Sequence, residues 1–214
     1  QLALASAAIS RFELATDVMA FDTTNFDTHI ATTTAGELAR RGKAKSKRSD
    51  LRVVGLGVLV SETGQVPLMH RTYPGNSSDQ AVLTSCLAGL GELHDAVKSG
   101  SESGERTVVR DGGFWSPQLE LDLHEVGYGS IISLPTTHGA AKKALEFAAG
   151  ARRMKHLKGE LKEVRAARVR LPVGELDRTL VVVESLTLLA GQKRGISAAL
   201  KKAIAALEKL EVRV

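Results

Sequence analysis

Residues 53–72, VVGLGVLVSETGQVPLMHRT, carry the clearest structural signal in the chain. Residues 53–60 are almost continuously apolar, which is typical of a strand that is covered on both faces. Residues 61–65 contain a glycine and connect this strand to a second one at 66–72, so that the two form a hairpin. Pro67 places the start of the second strand near a sheet edge or a bulge.

Regular elements are predicted on both sides of this hairpin. The apolar run at 18–21 predicts a strand that ends on Asp22, and the polar residues 23–50 predict a long loop after it. Ser77 and Gln80 have the spacing of a capping box, which opens a helix. The predicted elements are strand 18–22, strand 53–60, strand 66–72, helix 79–97, strand 107–110, helix 117–126 and strand 129–134.

This order of elements predicts the fold class. Three strands in a meander, followed by alternating helices and strands, are the order of a ribonuclease H-like core. We therefore predict an α/β fold (an α+β mixed sheet) in which residues 1–150 form that core. Residues 151–190 are expected to form a β-rich insertion with strands at 161–171 and 179–184, and residues 191–214 a basic amphipathic helix.

Composition excludes several classes of protein. The chain has 214 residues, of which 43% are hydrophobic and 25% charged, so it is neither disordered nor collagen-like. Cys86 is the only cysteine, which excludes an internal disulfide and a cysteine-based zinc cluster. The sequence contains no apolar run of the ~20 residues that a bilayer requires. We therefore expect a cytoplasmic protein with no membrane partner.

The net charge of +5 is unevenly distributed. Residues 40–52 carry a net charge of +6, residues 151–170 another +6 and residues 191–214 a net +4, so the remainder is acidic. Basic blocks on an acidic protein favour a polyanionic partner. Because no aromatic residue lies within the block 40–52, we expect it to contact DNA phosphates, although a solvated flexible loop would have the same composition. The residues expected to bind DNA are Arg40, Arg41, Lys43, Lys45, Lys47, Arg48 and Arg52.

Two aspartates follow predicted strands. Asp22 ends the first strand and Asp111 immediately follows the fourth. These strands lie side by side in parallel in a ribonuclease H-like sheet, so the two carboxylates would meet and repel each other unless a cation joined them. Hard oxygen ligands at an open site suit Mg²⁺. Taken alone, each aspartate is better explained as a turn former or a helix cap, and only the pair in this order favours a functional site.

Four segments in order resemble the bacterial insertion-sequence transposases of the DDE type, in the branch whose ribonuclease H-like core is interrupted by a β-rich insertion. The segments are FDTTNFDTHI (21–30), LARRGKAKSKRSDLRVVGLGVLVS (38–61), VPLMHRTYPGNSSDQ (66–80) and VVRDGGFWSPQLELDL (108–123). The likeness continues through LDRTLVVVES and the closing helix.

The resemblance implies a function and a set of site residues. Asp22 would be the first catalytic, metal-binding acid and Asp111 the second, with Mg²⁺ or Mn²⁺ as the cofactor. The partners would be DNA, at the terminal repeats of the element and at its target, and a second copy of the chain in a homodimeric DNA complex. Such a protein would be cytoplasmic in a bacterium and associated with the nucleoid when it is bound to DNA.

The third acid of the family is a glutamate in a Tyr–Arg–Glu–Lys type motif beyond the β-rich insertion. No such motif occurs before Val214, so we expect a fragment that is incomplete at both ends and lacks this acid. Glu184, at the end of an apolar strand, and Glu146, on a helix, are internal candidates, but neither lies in the motif.

Two other functions remain open at this point. A fragment without the third acid could be a catalytically inert DNA-binding or oligomerising remnant. A general ribonuclease H-like nuclease would use the same pair of aspartates without requiring terminal repeats.

Overall fold

The structure is a computed structural model that describes residues 1–31, 33–98, 106–150 and 153–211. The chain divides into two compact units, Gln1–Pro135 and Thr136–Val214. This division precedes the boundary expected after residue 150, because the helix at Gly139–Ala149 packs on the β-hairpin that follows it.

The first unit is built on a five-stranded sheet. The strand order is β3-β2-β1-β4-β5, in which the β1–β2 and β2–β3 pairs are antiparallel and the β1–β4 and β4–β5 pairs are parallel. This mixed sheet has the topology of a ribonuclease H-like core and confirms the predicted fold class. The elements are α1 (Leu2–Phe12), β1 (Val18–Thr28), β2 (Arg52–Ser61), β3 (Pro67–Pro74), α2 (Asp79–Thr84), α3 (Leu87–Lys98), β4 (Arg106–Arg110), α4 (Pro117–Glu125) and β5 (Tyr128–Ile132).

The core of this unit lies on one face of the sheet. Phe21, Leu59 and Val108 project from three adjacent strands into a cluster with apolar residues of the helices, and all three are buried. The rings of Phe21 and Phe114 meet edge to face, with centroids 5.4 Å apart. Alternate residues of β2 are only half-buried, so this strand is not covered equally on both faces as its apolar sequence had suggested.

Strand β1 is longer than predicted. It runs to Thr28, because its antiparallel ladder with β2 continues from Met19–Ser61 to Thr28–Arg52. Its parallel pairing with β4 extends only from Val18 to Phe21. Residues 23–28, expected in a loop, are therefore strand residues that have β2 on one side.

The single helix predicted over 79–97 is two helices, α2 and α3, separated at Ser85 and Cys86. The N-cap of α2 is Ser78, whose hydroxyl oxygen accepts from the Ala81 N–H at 3.3 Å, and not Ser77 as expected. Cys86, at this break between the helices, is buried.

The second unit combines a three-stranded sheet with two helices. Its elements are α5 (Gly139–Ala149), β6 (Lys155–His156), β7 (Val164–Val173), β8 (Leu176–Ser185) and α6 (Leu186–Glu211), and its sheet order is β6-β7-β8. The turn of the β7–β8 hairpin is shorter than predicted, because Pro172 still pairs with Asp177 and Gly174 takes the left-handed conformation. Helix α6 begins at Leu186, before the expected start near Gln192. Within the described ranges, no helix is long and apolar enough to cross a membrane.

Gly55 in β2 provides a test of the packing between strands. A Cβ at this position would lie 2.0 Å from the Tyr73 ring, whose hydroxyl donates to the Thr24 carbonyl oxygen at 3.3 Å. Gly55→Ala must displace the ring, so we expect it to lower the free energy of unfolding by about 1–3 kcal/mol, measured by urea denaturation. Gly91→Ala is the control, since its Cβ would meet Val126 at 3.8 Å and alanine favours the helix. Equal stability of the two variants would contradict this packing.

Candidate functional site

The register of the sheet brings Asp22 and Asp111 together. Phe21 and Arg110 form the last pair of the parallel β1–β4 ladder, and each is followed directly by one of the two aspartates. Both aspartates are exposed, and both line an open cleft of about 720 Å³. The carboxyl ends of parallel strands thus supply the cleft with two carboxylates, as the sequence had predicted.

Thr23 organises the β1 side of this cleft. Its backbone N–H donates to Asp22 Oδ1 at 2.7 Å, and its hydroxyl donates to Asp79 Oδ1 at 2.9 Å. The Thr23 side chain is buried, so these bonds are shielded from competition with water. One residue therefore restrains both acidic side chains that flank it.

Asp79 is a third acidic residue of the cleft that the sequence did not identify. It is the first residue of α2, where the helix dipole favours an acidic side chain without any further role. A Cβ on Gly113 would lie 3.1 Å from Asp79 Oδ2, and one on Gly112 would lie 2.9 Å from the Ser133 carbonyl oxygen. Close packing thus accounts for the two glycines that follow Asp111.

A buried ion pair holds the end of β4 next to Asp111. Arg110 Nη2 donates to Glu120 Oε1 on α4 and to Ser130 Oγ on β5, the latter at 2.7 Å. The Arg110 side chain is fully buried and that of Glu120 is 8% exposed. The strand end that carries Asp111 is therefore tied to a helix and to the neighbouring strand.

Two of the seven basic residues expected to bind DNA line the cleft. Lys43 and Lys45 do so, and Lys45 Nζ donates to the Thr23 carbonyl oxygen at 2.7 Å. The side chain of Asn25 donates to the Lys43 carbonyl oxygen at 2.9 Å and accepts from the Lys45 N–H at 3.0 Å. The segment that carries these lysines is thus bonded to β1 just beyond Asp22.

The remaining basic residues have other surroundings. Arg48 forms a two-pronged ion pair with Asp50 on the surface, and this hydrogen bonding lowers the pKa of Asp50 to about 2. Arg40 Nε donates to the Glu37 carbonyl oxygen and Arg52 Nη1 to that of Thr34. Arg41 and Lys47 are exposed.

The donor set of the cleft suits a hard divalent cation. Two exposed carboxylates at adjacent strand ends match the one or two protein ligands with which Mg²⁺ is usually bound, the rest being water and phosphate oxygens. Among the described residues, no three histidine, cysteine, aspartate or glutamate side chains are grouped as metal ligands. Glu146 is exposed on α5, and Glu184 forms an ion pair with Arg165 across the β7–β8 ladder.

Comparison with known proteins gives structural likenesses alone. No family model and no curated protein sequence matches the chain. The cryo-EM structure of the piggyBac transposase synaptic complex with hairpin DNA is similar at a TM-score of 0.36 and 12% identity, over 79% of this chain and 33% of that one. The Mos1 transposase paired-end complex with the left transposon end is similar at a TM-score of 0.35 and 11% identity, over 70% and 53%.

The chain therefore spans a third of one of these proteins and about half of the other. TM-scores this low do not support a fold assignment by themselves. The ribonuclease H-like fold is assigned from the order and register of the strands in the five-stranded sheet.

Glu120→Ala tests the ion pair beneath Asp111. The substitution removes the buried carboxylate from Arg110, and breaking such a pair typically costs about 3–5 kcal/mol of unfolding free energy, measurable by urea denaturation. Glu125→Ala, an exposed glutamate at the end of the same helix, should change stability by less than about 0.5 kcal/mol. A loss below about 1 kcal/mol for Glu120→Ala would show that the pair does not anchor the strand end.

Proposed function

We propose that this chain carries the catalytic region of a DDE transposase of the bacterial insertion-sequence type, which cuts and joins DNA with divalent metal ions. The observation that supports this most is the β1–β4 register, which ends at Phe21–Arg110 and leaves Asp22 and Asp111 side by side. Lys43 and Lys45 line the same cleft, so carboxylates for a cation and ammonium groups for phosphates lie together.

Asp22 and Asp111 would hold Mg²⁺ or Mn²⁺, and the bound metal would supply positive charge to stabilise an in-line phosphoryl transfer. Thr23 restrains the carboxylate of Asp22 through its N–H. Lys43 and Lys45 bind the DNA backbone near the scissile phosphate, which places it against the two aspartates. Water is the nucleophile for cleavage at the element ends, and the resulting 3′-hydroxyl is the nucleophile for strand transfer to target DNA.

The proposed DNA contacts carry no base-specific component. Lysine ammonium groups recognise phosphates as point charges, so they determine affinity and position along the backbone. Recognition of the terminal repeats and the homodimeric arrangement belong to the same proposal and rest on the resemblance of the four sequence segments.

A second candidate is DNA binding without cleavage. The observation that favours it is the ion pair between Arg165 and Glu184, which engages one of the two internal candidates for a third acid. If Asp22 and Asp111 were its only catalytic acids, the protein would bind DNA and the metal without completing the reaction.

Metal binding tests the two aspartates directly. We expect Asp22→Asn and Asp111→Asn each to weaken Mn²⁺ binding at least about tenfold, because each removes one of two anionic ligands. The free Mn²⁺ signal in electron paramagnetic resonance measures this. Asp95→Asn, an exposed aspartate on α3, is the matched control and should bind Mn²⁺ as the unaltered chain does. Unchanged affinity in both site variants would disprove the assignment.

A DNA assay separates the candidate functions. With Mg²⁺ or Mn²⁺, we expect a protein that adds the family's third acid to this chain to cleave terminal-repeat ends, and Asp22→Asn and Asp111→Asn each to abolish that cleavage. Binding that weakens steeply with salt, without cleavage, would favour the inert alternative. Equal cleavage of DNA with and without repeats would instead indicate a general nuclease.

A further inference from the structure

We infer that Asn25 is a positioning residue that docks the segment Lys43–Lys45 along the edge of β1, so that the two lysines face phosphates at the Asp22–Asp111 cleft. This inference rests on the proposed function and adds the residue by which the DNA-binding segment is held in place. Nothing in the sequence pattern distinguished Asn25 from the other polar residues of the predicted loop.

Part of β1 has no partner strand on the β4 side. Pairing between β1 and β4 ends at Phe21, whereas β1 continues with β2 as far as Thr28. Beyond Asp22, the backbone groups of β1 on the β4 side need other partners. The Thr23 carbonyl oxygen has one, since it accepts from Lys45 Nζ at 2.7 Å.

The side-chain amide of Asn25 bonds the backbone of the segment Lys43–Lys45. Its Nδ2 donates to the Lys43 carbonyl oxygen at 2.9 Å, and its Oδ1 accepts from the Lys45 N–H at 3.0 Å. One side chain thus bonds two backbone groups of the segment, on either side of the buried Ala44. A side chain with only a donor or only an acceptor could make one of these bonds but not both.

Docking of the segment determines where the ammonium group of Lys45 lies. An ammonium group has three donors, and the bond to the Thr23 carbonyl oxygen uses one of them on Lys45, which leaves two for a phosphate. Thr23 is next to Asp22 in the strand, so Lys45 is anchored one residue from a proposed metal ligand. By contrast, Arg48 in the same basic block is paired with Asp50.

A second contact restrains the same segment, at the turn after β3. A Cβ on Gly42 would lie 1.8 Å from the Gly75 carbonyl oxygen, so the chain before Lys43 passes directly against the turn after β3. Gly42→Ala should therefore undock the segment by a route that does not involve Asn25. Gly36→Ala is its matched control, since a Cβ there meets nothing within 4 Å.

The competing explanation is that Lys45 protects the unpaired edge of β1 from pairing with other protein chains. Lysines on exposed strand edges discourage pairing with other chains, and such a role requires no DNA. The two explanations predict the same loosening of the segment in Asn25→Ala but different effects on DNA affinity.

Limited trypsin digestion tests the docking itself. We expect cleavage after Lys43 and Lys45 to be at least about fivefold faster in Asn25→Ala, because two hydrogen bonds that close the segment are lost. Gly42→Ala should show a similar increase. Gln118→Ala, which removes an exposed amide bonded to Asp122 on α4, and Gly36→Ala should be cleaved as the unaltered chain is. Unchanged cleavage in Asn25→Ala would overturn the inference.

DNA affinity as a function of salt tests the positioning. Loss of one or two lysine–phosphate contacts should reduce the slope of log K against log salt by about 0.9 per contact, in Asn25→Ala as in Lys45→Ala. In a chain that already carries Lys43→Ala and Lys45→Ala, adding Asn25→Ala should have no further effect on affinity.

The outcomes separate this inference from the proposed function. Faster proteolysis with unchanged DNA affinity would overturn the positioning role and leave edge protection. If the unaltered chain binds no DNA at low salt, the proposed function fails and the positioning role fails with it, while the proteolysis result still decides whether Asn25 holds the segment. A smaller salt slope in Asn25→Ala, absent from Gln118→Ala, supports both.

Discussion

The unequal lengths of the two ladders of β1 are the constraint on which the candidate site depends. β1 pairs with β4 from Val18 to Phe21 but with β2 from Met19 to Thr28. From Asp22 onward, β1 therefore has a partner strand on one side only. Buried Phe21 anchors the paired part in the core. The missing pairing leaves Asp22 and Asp111 exposed and the Thr23 carbonyl oxygen accessible to Lys45 Nζ, which bonds it. A ladder with β4 that continued past Phe21 would fill the edge with backbone and remove the cleft.

Buried or hydrogen-bonded polar groups stabilise the ends of the β1–β4 ladder, on β1 and on β4. Thr23 is buried and bonds Asp22, Asp79 and Lys45 through its N–H, hydroxyl and carbonyl groups respectively. On the β4 side, the Arg110–Glu120 pair restrains the residue before Asp111. Breaking a buried ion pair is costly, whereas the exposed Arg48–Asp50 pair contributes little to stability. The site therefore stands on rigid elements, as chemistry that depends on position requires.

Sequence patterns predicted the regular elements well where the apolar period was strong. The strands at 107–110 and 129–134 and the helix at 117–126 lie within two residues of their predicted bounds. Residues 23–28 were missed because their polar sequence resembles a loop, and only pairing with β2 makes them a strand. The continuous helix over 79–97 was wrong, since local helical periodicity does not reveal the break at Ser85 and Cys86.

The sequence alone therefore determined the order of the elements, the two aspartates at strand ends and the basic block near the first of them. These features follow from local properties, namely apolar period, turn residues and charge. Which of the seven basic residues face the aspartates was decided only by the tertiary structure, because it depends on the edge of β1, the amide of Asn25 and the close approach of Gly42 to Gly75. Asp79 likewise reaches the cleft only through folding, since its partner Thr23 is distant in sequence and adjacent only in space.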